Sequence, residues 1–348
     1  MKITVQTKSG QFDYELDEGE TLLAGALRNG ITLPYECATG TCGTCRGRVM
    51  TGDCHMGWDE APGAARLKRE KGDCLLCQTT ASSDALVRVP SSKVTDQFER
   101  GHVPCHSKGT LMNSRMLTHD VMHFDLALDR PVNFDAGQFV TLACDHVEGA
   151  RAYSMVNYAA DTESLSFVVK RLPGGGFGNW LFEQDVEGAE LKVFGALGAA
   201  TFYPEEGRNI ICLGGGSGIA GMMSILDRAC QDNYFEDHAG YVFFGVRTLA
   251  DCFYLSELSS FAEQAGGNLS ITVALSDEDT GLNRHPEFEN LKLDTGFVHE
   301  AASRALAGCY DNAIGYVAGP PPMVDASLRV LIAEGKLPVS DIRYDKFS

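Results

Sequence analysis

Four cysteines set the first chemical constraint. Cys37, Cys42 and Cys45 form a C-x4-C-x2-C run in a segment rich in Thr and Gly, and Cys77 follows downstream in Leu75-Leu76-Cys77-Gln78. This is the spacing of a plant-type [2Fe–2S] centre, in which four thiolates converge on two irons. Three of them must leave one tightly wound loop, so small residues are needed where backbone approaches sulfide. Gly40 and Gly43 meet that need, and their N–H groups are placed to hydrogen-bond sulfur. Zinc is the competing chemistry, through Cys42-x2-Cys45 and Cys74-x2-Cys77, but it leaves Cys37 idle. Cys74 rivals Cys77 as fourth ligand. Cys77 is preferred because Leu75-Leu76 anchor it at the start of a strand. Cys54 and Cys74 then become bystanders, and Cys105, Cys144, Cys212, Cys230, Cys252 and Cys309 read as structural.

Two further constellations point to nucleotide cofactors. Arg151-Ala152-Tyr153-Ser154 combines a cation for a diphosphate, an aromatic face for a flat ring and a short hydroxyl donor. It is followed by the glycine-rich segment 168–181, VVKRLPGGGFGNWL, where Gly174, Gly175 and Gly176 permit close backbone approach at a helix N-terminus. Further on, Gly214-Gly215-Gly216-Ser217-Gly218 stands between a buried-type strand and a helix. Phe244-Gly245-Val246-Arg247 and Ala318-Gly319-Pro320-Pro321-Pro322-Met323 close two more strands. Open α/β sheets bind ligands at such strand carboxyl ends.

The elements that must position these groups fall into three blocks. Residues 1–93 read as a small α+β domain. It has strands at Lys2–Val5, Gln11–Glu15, Arg46–Thr51 and Ala85–Val89, and a helix over Thr21–Asn29 capped by Thr21 and stopped by Gly30. Residues 94–108 are a polar linker. Residues 109–205 alternate with period two, as in MHFDLAL, QFVTLAC, LSFVVKRL and ELKVFG, and predict an antiparallel β-barrel. Residues 206–348 alternate buried-type strands (NIICLG, GYVFFGV, LSITVAL, AIGYVAG) with helices, the pattern of a parallel α/β domain. The chain has 348 residues and a net charge of −18, which excludes nucleic acid and anionic membrane as partners. It has no apolar run long enough to span a bilayer and opens directly on a strand pattern, so a cytoplasmic location is expected.

The cysteine loop, Cys77-Gln78 and the order of the blocks resemble the reductase components of bacterial multicomponent oxygenases. These serve Rieske ring-hydroxylating dioxygenases (the naphthalene and benzoate systems) and soluble di-iron monooxygenases (the toluene and methane systems). The resemblance spans the whole chain. It implies a β-grasp-like ferredoxin domain, an FAD-binding barrel and an NAD-binding domain. It also implies an NADH-dependent reductase that supplies a terminal oxygenase, of Rieske type by preference, directly or through a separate ferredoxin. By resemblance, cluster ligands are Cys37, Cys42, Cys45 and Cys77. Flavin contacts are Arg151, Tyr153, Ser154, Val168, Lys170, Gly175, Gly176, Gly178, Asn179 and the terminal aromatic Phe347. Nicotinamide-dinucleotide contacts are Gly215, Gly216, Ser217, Gly218, Arg247, Gly319, Pro320 and Met323. The chain departs from the family at Gly178 (often Ser or Thr), Gly221 (often Pro) and Ala318 (usually Cys). NADH is favoured over NADPH because Asp251, Asp277 and Glu278 accompany the single cation Arg247. Asp53, Asp59, Glu60 and Asp73, with Trp58, are expected to form an acidic docking patch beside the cluster. The alternatives are a di-iron partner, a deoxysugar-dehydration reductase of the same layout, and a flavin/[2Fe–2S] redox sensor.

Overall fold

Apolar residues on alternate positions of Lys2–Gln6 face inward at Ile3 and Val5, and this pleat seeds the first sheet. The computed structural model describes residues 1–96 and 101–346. The chain divides into two compact units, Met1–Ser107 with Val140–Ala152 and Lys192–Leu197, and Lys108–Phe139 with Tyr153–Leu191 and Gly198–Ser348.

The first unit opens with a hairpin of β1 (Lys2–Gln6) and β2 (Gln11–Glu15). Helix α1 (Leu22–Arg28) begins where the Thr21 hydroxyl accepts the Ala24 N–H, and it ends before Gly30 at φ +80°. β3 (Arg46–Thr51), β5 (Asp73–Leu75) and β7 (Ala85–Arg88) complete a five-stranded sheet ordered β2-β1-β7-β3-β5. β4 (Cys54–Met56) and β6 (Thr79–Ala81) pair separately.

Asp73 corrects a sequence expectation. It does not face solvent in an acidic patch: its side chain is 2% exposed and is clamped by Arg46 and Arg48. Burial alone pushes its pKa up, but the two guanidinium groups and the Lys68 N–H outweigh this and hold it below the ordinary carboxylate range. Asp59 is likewise paired, with Arg69. Strand β3 therefore brings two half-exposed arginines to the surface, held by the buried carboxylate of β5. Asp73→Asn is expected to cost roughly 2–4 kcal/mol of domain stability by leaving both arginines without their counter-charge. Urea unfolding followed by far-UV circular dichroism checks this.

The middle of the chain forms a six-stranded antiparallel half-barrel. Its strands are β8 (Cys105–Met116), β9 (Val121–Val132), β10 (Phe139–Cys144), β11 (Val147–Ser154), β12 (Thr162–Lys170) and β13 (Glu190–Leu197), ordered β11-β10-β13-β8-β9-β12. Residues 105–108, read as linker from their polarity, open β8. β8 escaped the period-two reading because its inward positions, Ser107, Gly109 and Leu111, include only one large apolar residue, and β11 because nearly all its residues are exposed or half-exposed.

The last third is a parallel sheet of β14 (Asn209–Gly215), β15 (Gly240–Val246), β16 (Leu269–Leu275), β17 (Leu291–Thr295), β18 (Ala313–Gly319) and β19 (Ile342–Lys346), ordered β17-β16-β15-β14-β18-β19. Helices α3 (Ile219–Gln231) and α4 (Leu255–Gln264) bury one face, and α5 (Val298–Ala305) and α6 (Pro321–Arg329) the other. From β14 the chain adds β15 on one side and later β18 on the other. The direction of winding thus reverses at β14, the switch point where such sheets open a ligand crevice. Half-barrel and parallel sheet are joined by a buried polar contact: His123 Nδ1 accepts the Tyr254 hydroxyl at 2.8 Å and Nε2 faces Asp125 at 3.2 Å. Burial lowers the His123 pKa, so the ring is neutral and this tautomer satisfies both nitrogens.

Candidate functional site

The cysteine loop, residues 37–45, passes three times through left-handed backbone, at Ala38 (φ +56°), Gly40 (φ +91°) and Gly43 (φ +78°). The turn Pro62–Ala64 packs against it: the Gly63 N–H donates to Gly40 O at 2.9 Å. A Cβ at Gly63 would lie 2.6 Å from Gly43 N and 2.8 Å from Gly40 O, so this approach is backbone on backbone. Gly63 was not singled out from the sequence, where it is one of many turn glycines.

The four sulfurs group two by two. The Cys42 N–H donates to Cys37 Sγ, and Cys45 Sγ lies 3.2 Å from Cys77 Sγ. Around them sit N–H donors, Thr39 and Cys42 to Cys37 Sγ and Thr44 to Cys42 Sγ, each at 3.4 Å. The hydrogen bond from Cys42, aided by those from Thr41, Thr39 and the Cys42 N–H, holds the Cys37 thiol down at about 3 despite burial. Among the described residues, no three cysteine sulfurs lie within 4.8 Å of one another. Four ligands on one zinc at ~2.3 Å would all sit roughly 3.8 Å apart. The donor set therefore fits two irons with two thiolates each. Cys77 sits in the short turn Leu76–Gln78 between β5 and β6, rather than at a strand start, and Gln78 Nε2 reaches its sulfur at 3.8 Å. Cys74 is buried in β5, where desolvation raises its pKa to about 11.

On β11, Arg151 and Tyr153 share one face by alternation, and Ser154 turns inward at 6% exposure. Arg151 Nη1 donates to Ala150 O at 3.0 Å. The Tyr153 ring lies 5.3 Å from Phe177. On β12, Val168 is buried opposite His123, and Lys170 pairs with Asp120 at 3.2 Å. The glycine segment reverses at Gly174 (φ +75°) and leads into α2 (Gly176–Glu183). The first N–H groups of α2 have no intrahelical acceptor, and open space surrounds Gly174, so the turn offers a phosphate cradle. Asn179 Oδ1 is engaged by Arg171 Nε at 3.3 Å. A Cβ at Gly178 would make only ordinary contacts, so the missing hydroxyl is not a steric demand.

Most of the residues expected to hold the dinucleotide meet at the switch point. Gly216 (φ +54°), Ser217 and Gly218 form a turn between β14 and α3. A Cβ at Gly215 would lie 3.4 Å from Met323 and 3.5 Å from Pro320, while one at Gly319 would lie 3.0 Å from Met323 Sδ. Gly215, Gly319, Pro320 and Met323 are thus one cluster across the ends of β14 and β18. A Cβ at Gly221 would lie 3.6 Å from Ser154 Cβ, so α3 abuts the end of the flavin strand. Arg247, at the end of β15, is within 3.5 Å of Asp251 and 4.0 Å of Asp120. Asp120, which sequence reading missed, therefore meets both Lys170 and Arg247. Its signal, one acid in a turn between two strands, is too common to notice. Phe347 lies outside the described residues.

These geometries match known proteins along the whole chain. Residues 4–82 match the 2Fe-2S iron-sulfur cluster binding domain family, residues 108–202 the oxidoreductase FAD-binding domain family and residues 212–328 the oxidoreductase NAD-binding domain family. A ferredoxin–NAD(P)(+) reductase of Metapseudomonas resinovorans is 34% identical over 97% of this chain and 98% of its own length. The ferredoxin–NAD(+) reductase component of the alkene monooxygenase system of Xanthobacter autotrophicus is 33% identical over 94% and 95%. A solved structure of the ferredoxin reductase in carbazole 1,9a-dioxygenase superposes with a TM-score of 0.86 at 32% identity, covering 100% of this chain and 99% of that one. Two paired-thiol half-sites, a glycine cradle after β12 and a switch-point crevice, in this order and with these relatives, place the chain in the family of 2Fe–2S, FAD- and NAD-binding reductase components of multicomponent oxygenases.

Proposed function

We propose that this reductase oxidises NADH and delivers single electrons to a Rieske-type terminal oxygenase of a cytoplasmic ring-hydroxylating system, directly or through a separate ferredoxin. The two-by-two grouping of Cys37/Cys42 and Cys45/Cys77 is the observation that carries it, because two thiolate pairs suit a two-iron centre and such a centre passes one electron at a time. When bound, the nicotinamide, the flavin and the cluster supply the hydride and single-electron chemistry. The chain positions them. Cys37, Cys42, Cys45 and Cys77 hold the cluster. Arg151, Tyr153, Ser154, Val168, Lys170, Gly175, Gly176, Gly178 and Asn179 hold FAD. The turn Gly215–Gly218, Arg247, Gly319, Pro320 and Met323 hold NADH. The modules run from 1 to 93, 109 to 205 and 206 to 348, with 94–108 as linker.

Preference for NADH follows from charge at the end of β15. Arg247 already faces Asp251 and Asp120, and the Glu278 carboxylate accepts the Leu249 N–H at 2.7 Å. A 2′-phosphate would meet a neutralised cation among acids. Mixing the oxidised protein anaerobically with each nucleotide tests the reading. Flavin bleaching by NADH should exceed that by NADPH at least about tenfold in kcat/KM. Equal rates would remove the NADH assignment, and no bleaching by either would favour a sensor. The resemblance to an alkene monooxygenase component supports a second reading, a monooxygenase partner. Reconstitution with each type of oxygenase separates the two.

A further inference from the structure

We infer that His106 and Glu20 form a clasp that holds the cluster domain on the half-barrel and so sets the rate of electron passage from flavin to cluster. This deepens the relay reading above and depends on it. Glu20 is buried, its side chain 3% exposed, immediately before the cap of α1. Its carboxylate accepts Arg28 Nε at 2.9 Å, Arg28 Nη2 at 2.8 Å and the Asp17 N–H at 3.2 Å from its own domain. Among the described residues, one further partner comes from the first residues of β8: His106 Nε2, at 2.8 Å. The His106 ring also lies 4.6 Å from the ring of Phe194 on β13. Burial alone would raise the Glu20 pKa, but the bonds from Arg28, His106 and Asp17 bring it to about 2, so the carboxylate stays charged at working pH. Asp17 also faces Arg28, at 3.1 Å.

The grip falls where it controls the cluster. Thr21, next to Glu20, bridges Thr80, three residues beyond Cys77. Helix α1 packs on the turn Leu76–Gln78 that carries Cys77. On the other side, the Phe194 carbonyl accepts the Thr141 hydroxyl at 3.4 Å, which ties β13 to β10 and hence to the strand bearing Arg151. Val94 is buried and its carbonyl accepts Ser9 Oγ at 3.0 Å, and Thr95 O accepts the Thr32 N–H at 2.9 Å, so the chain stays with the cluster domain through residue 95. It enters β8 only at Cys105. Relative motion is the default for consecutive domains unless the contacts between them hold them.

The His106 variants H106A, H106F and H106Q, loaded with both cofactors, distinguish the clasp from a neutral surface contact. In stopped-flow mixing with NADH, flavin bleaching should stay within twofold of the parent in all three. Reduction of the cluster, followed by its own visible bands, should slow about tenfold in H106A and H106F, because one charge-assisted bond is lost. H106Q keeps a donor and should recover most of the rate. Small-angle scattering of the same proteins should show a larger radius of gyration for H106A and H106F than for the parent and H106Q. Unchanged cluster reduction together with unchanged scattering in H106A overturns the clasp, as does failure of H106Q to differ from H106A. If NADH bleaches no flavin even in the parent, the relay reading falls, while scattering still decides the clasp.

Discussion

Cys77→Ser is expected to yield a yellow protein that oxidises NADH with ferricyanide at a near-parental rate and has lost cytochrome c reduction roughly 100-fold or more. The cause lies in the pairing of thiols. Cys45 and Cys77 are both buried, their sulfurs 3.2 Å apart, and form one iron's half of the donor set. Serine's hydroxyl is harder and less acidic, and it cannot replace a buried thiolate there. Cys74→Ser is the matched control. Its thiol is buried in β5 and should affect iron content little. Iron and sulfide assays on both variants check the assignment, and a Cys74→Ser protein that loses its iron would sink it.

Gly218→Ala is expected to raise the KM for NADH about tenfold or more and to lower thermal stability, whereas Gly221→Ala should do neither. Gly218 has φ −62°, where any residue is comfortable, so conformational freedom is not the reason for glycine. The reason is steric. Its Cβ would lie 2.3 Å from Ala318 O and 2.7 Å from the Ala318 carbonyl carbon. The turn after β14 must retreat from β18, and the cluster of Gly215, Gly319 and Met323 opens with it. At Gly221 the nearest atom to a new Cβ is Gly137 O at 3.4 Å, which is tolerable. Steady-state kinetics and calorimetry on both variants test the contrast.

What could be read from the residues was whatever depends on local periodicity or fixed spacing. The C-x4-C-x2-C loop, the Thr21 cap and the buried strands β14, β15, β16 and β18 all belong to that class. β17 and β19 were missed because they are short edge strands with alternating exposed residues, and they resemble loop. The partners of individual charges were not legible. Asp73 reads as one more surface acid until folding sets it against Arg46 and Arg48, which precede it by more than twenty positions. Glu20 and His106 lie 86 positions apart. Nothing in one-dimensional pattern marks such pairs, because long-range neighbours are chosen by topology.

The interlock of Gly40, Gly43 and Gly63 has a consequence for redesign. Where backbones touch with no room for a methyl group, the inner frame around the redox centre accepts no sequence change. Freedom lies with outward side chains around the same turns, such as Thr44, Pro62, Ala65 and Arg66, which are exposed. A change of surface chemistry beside the redox centre is therefore carried by a thin outer skin of side chains over an unyielding hub.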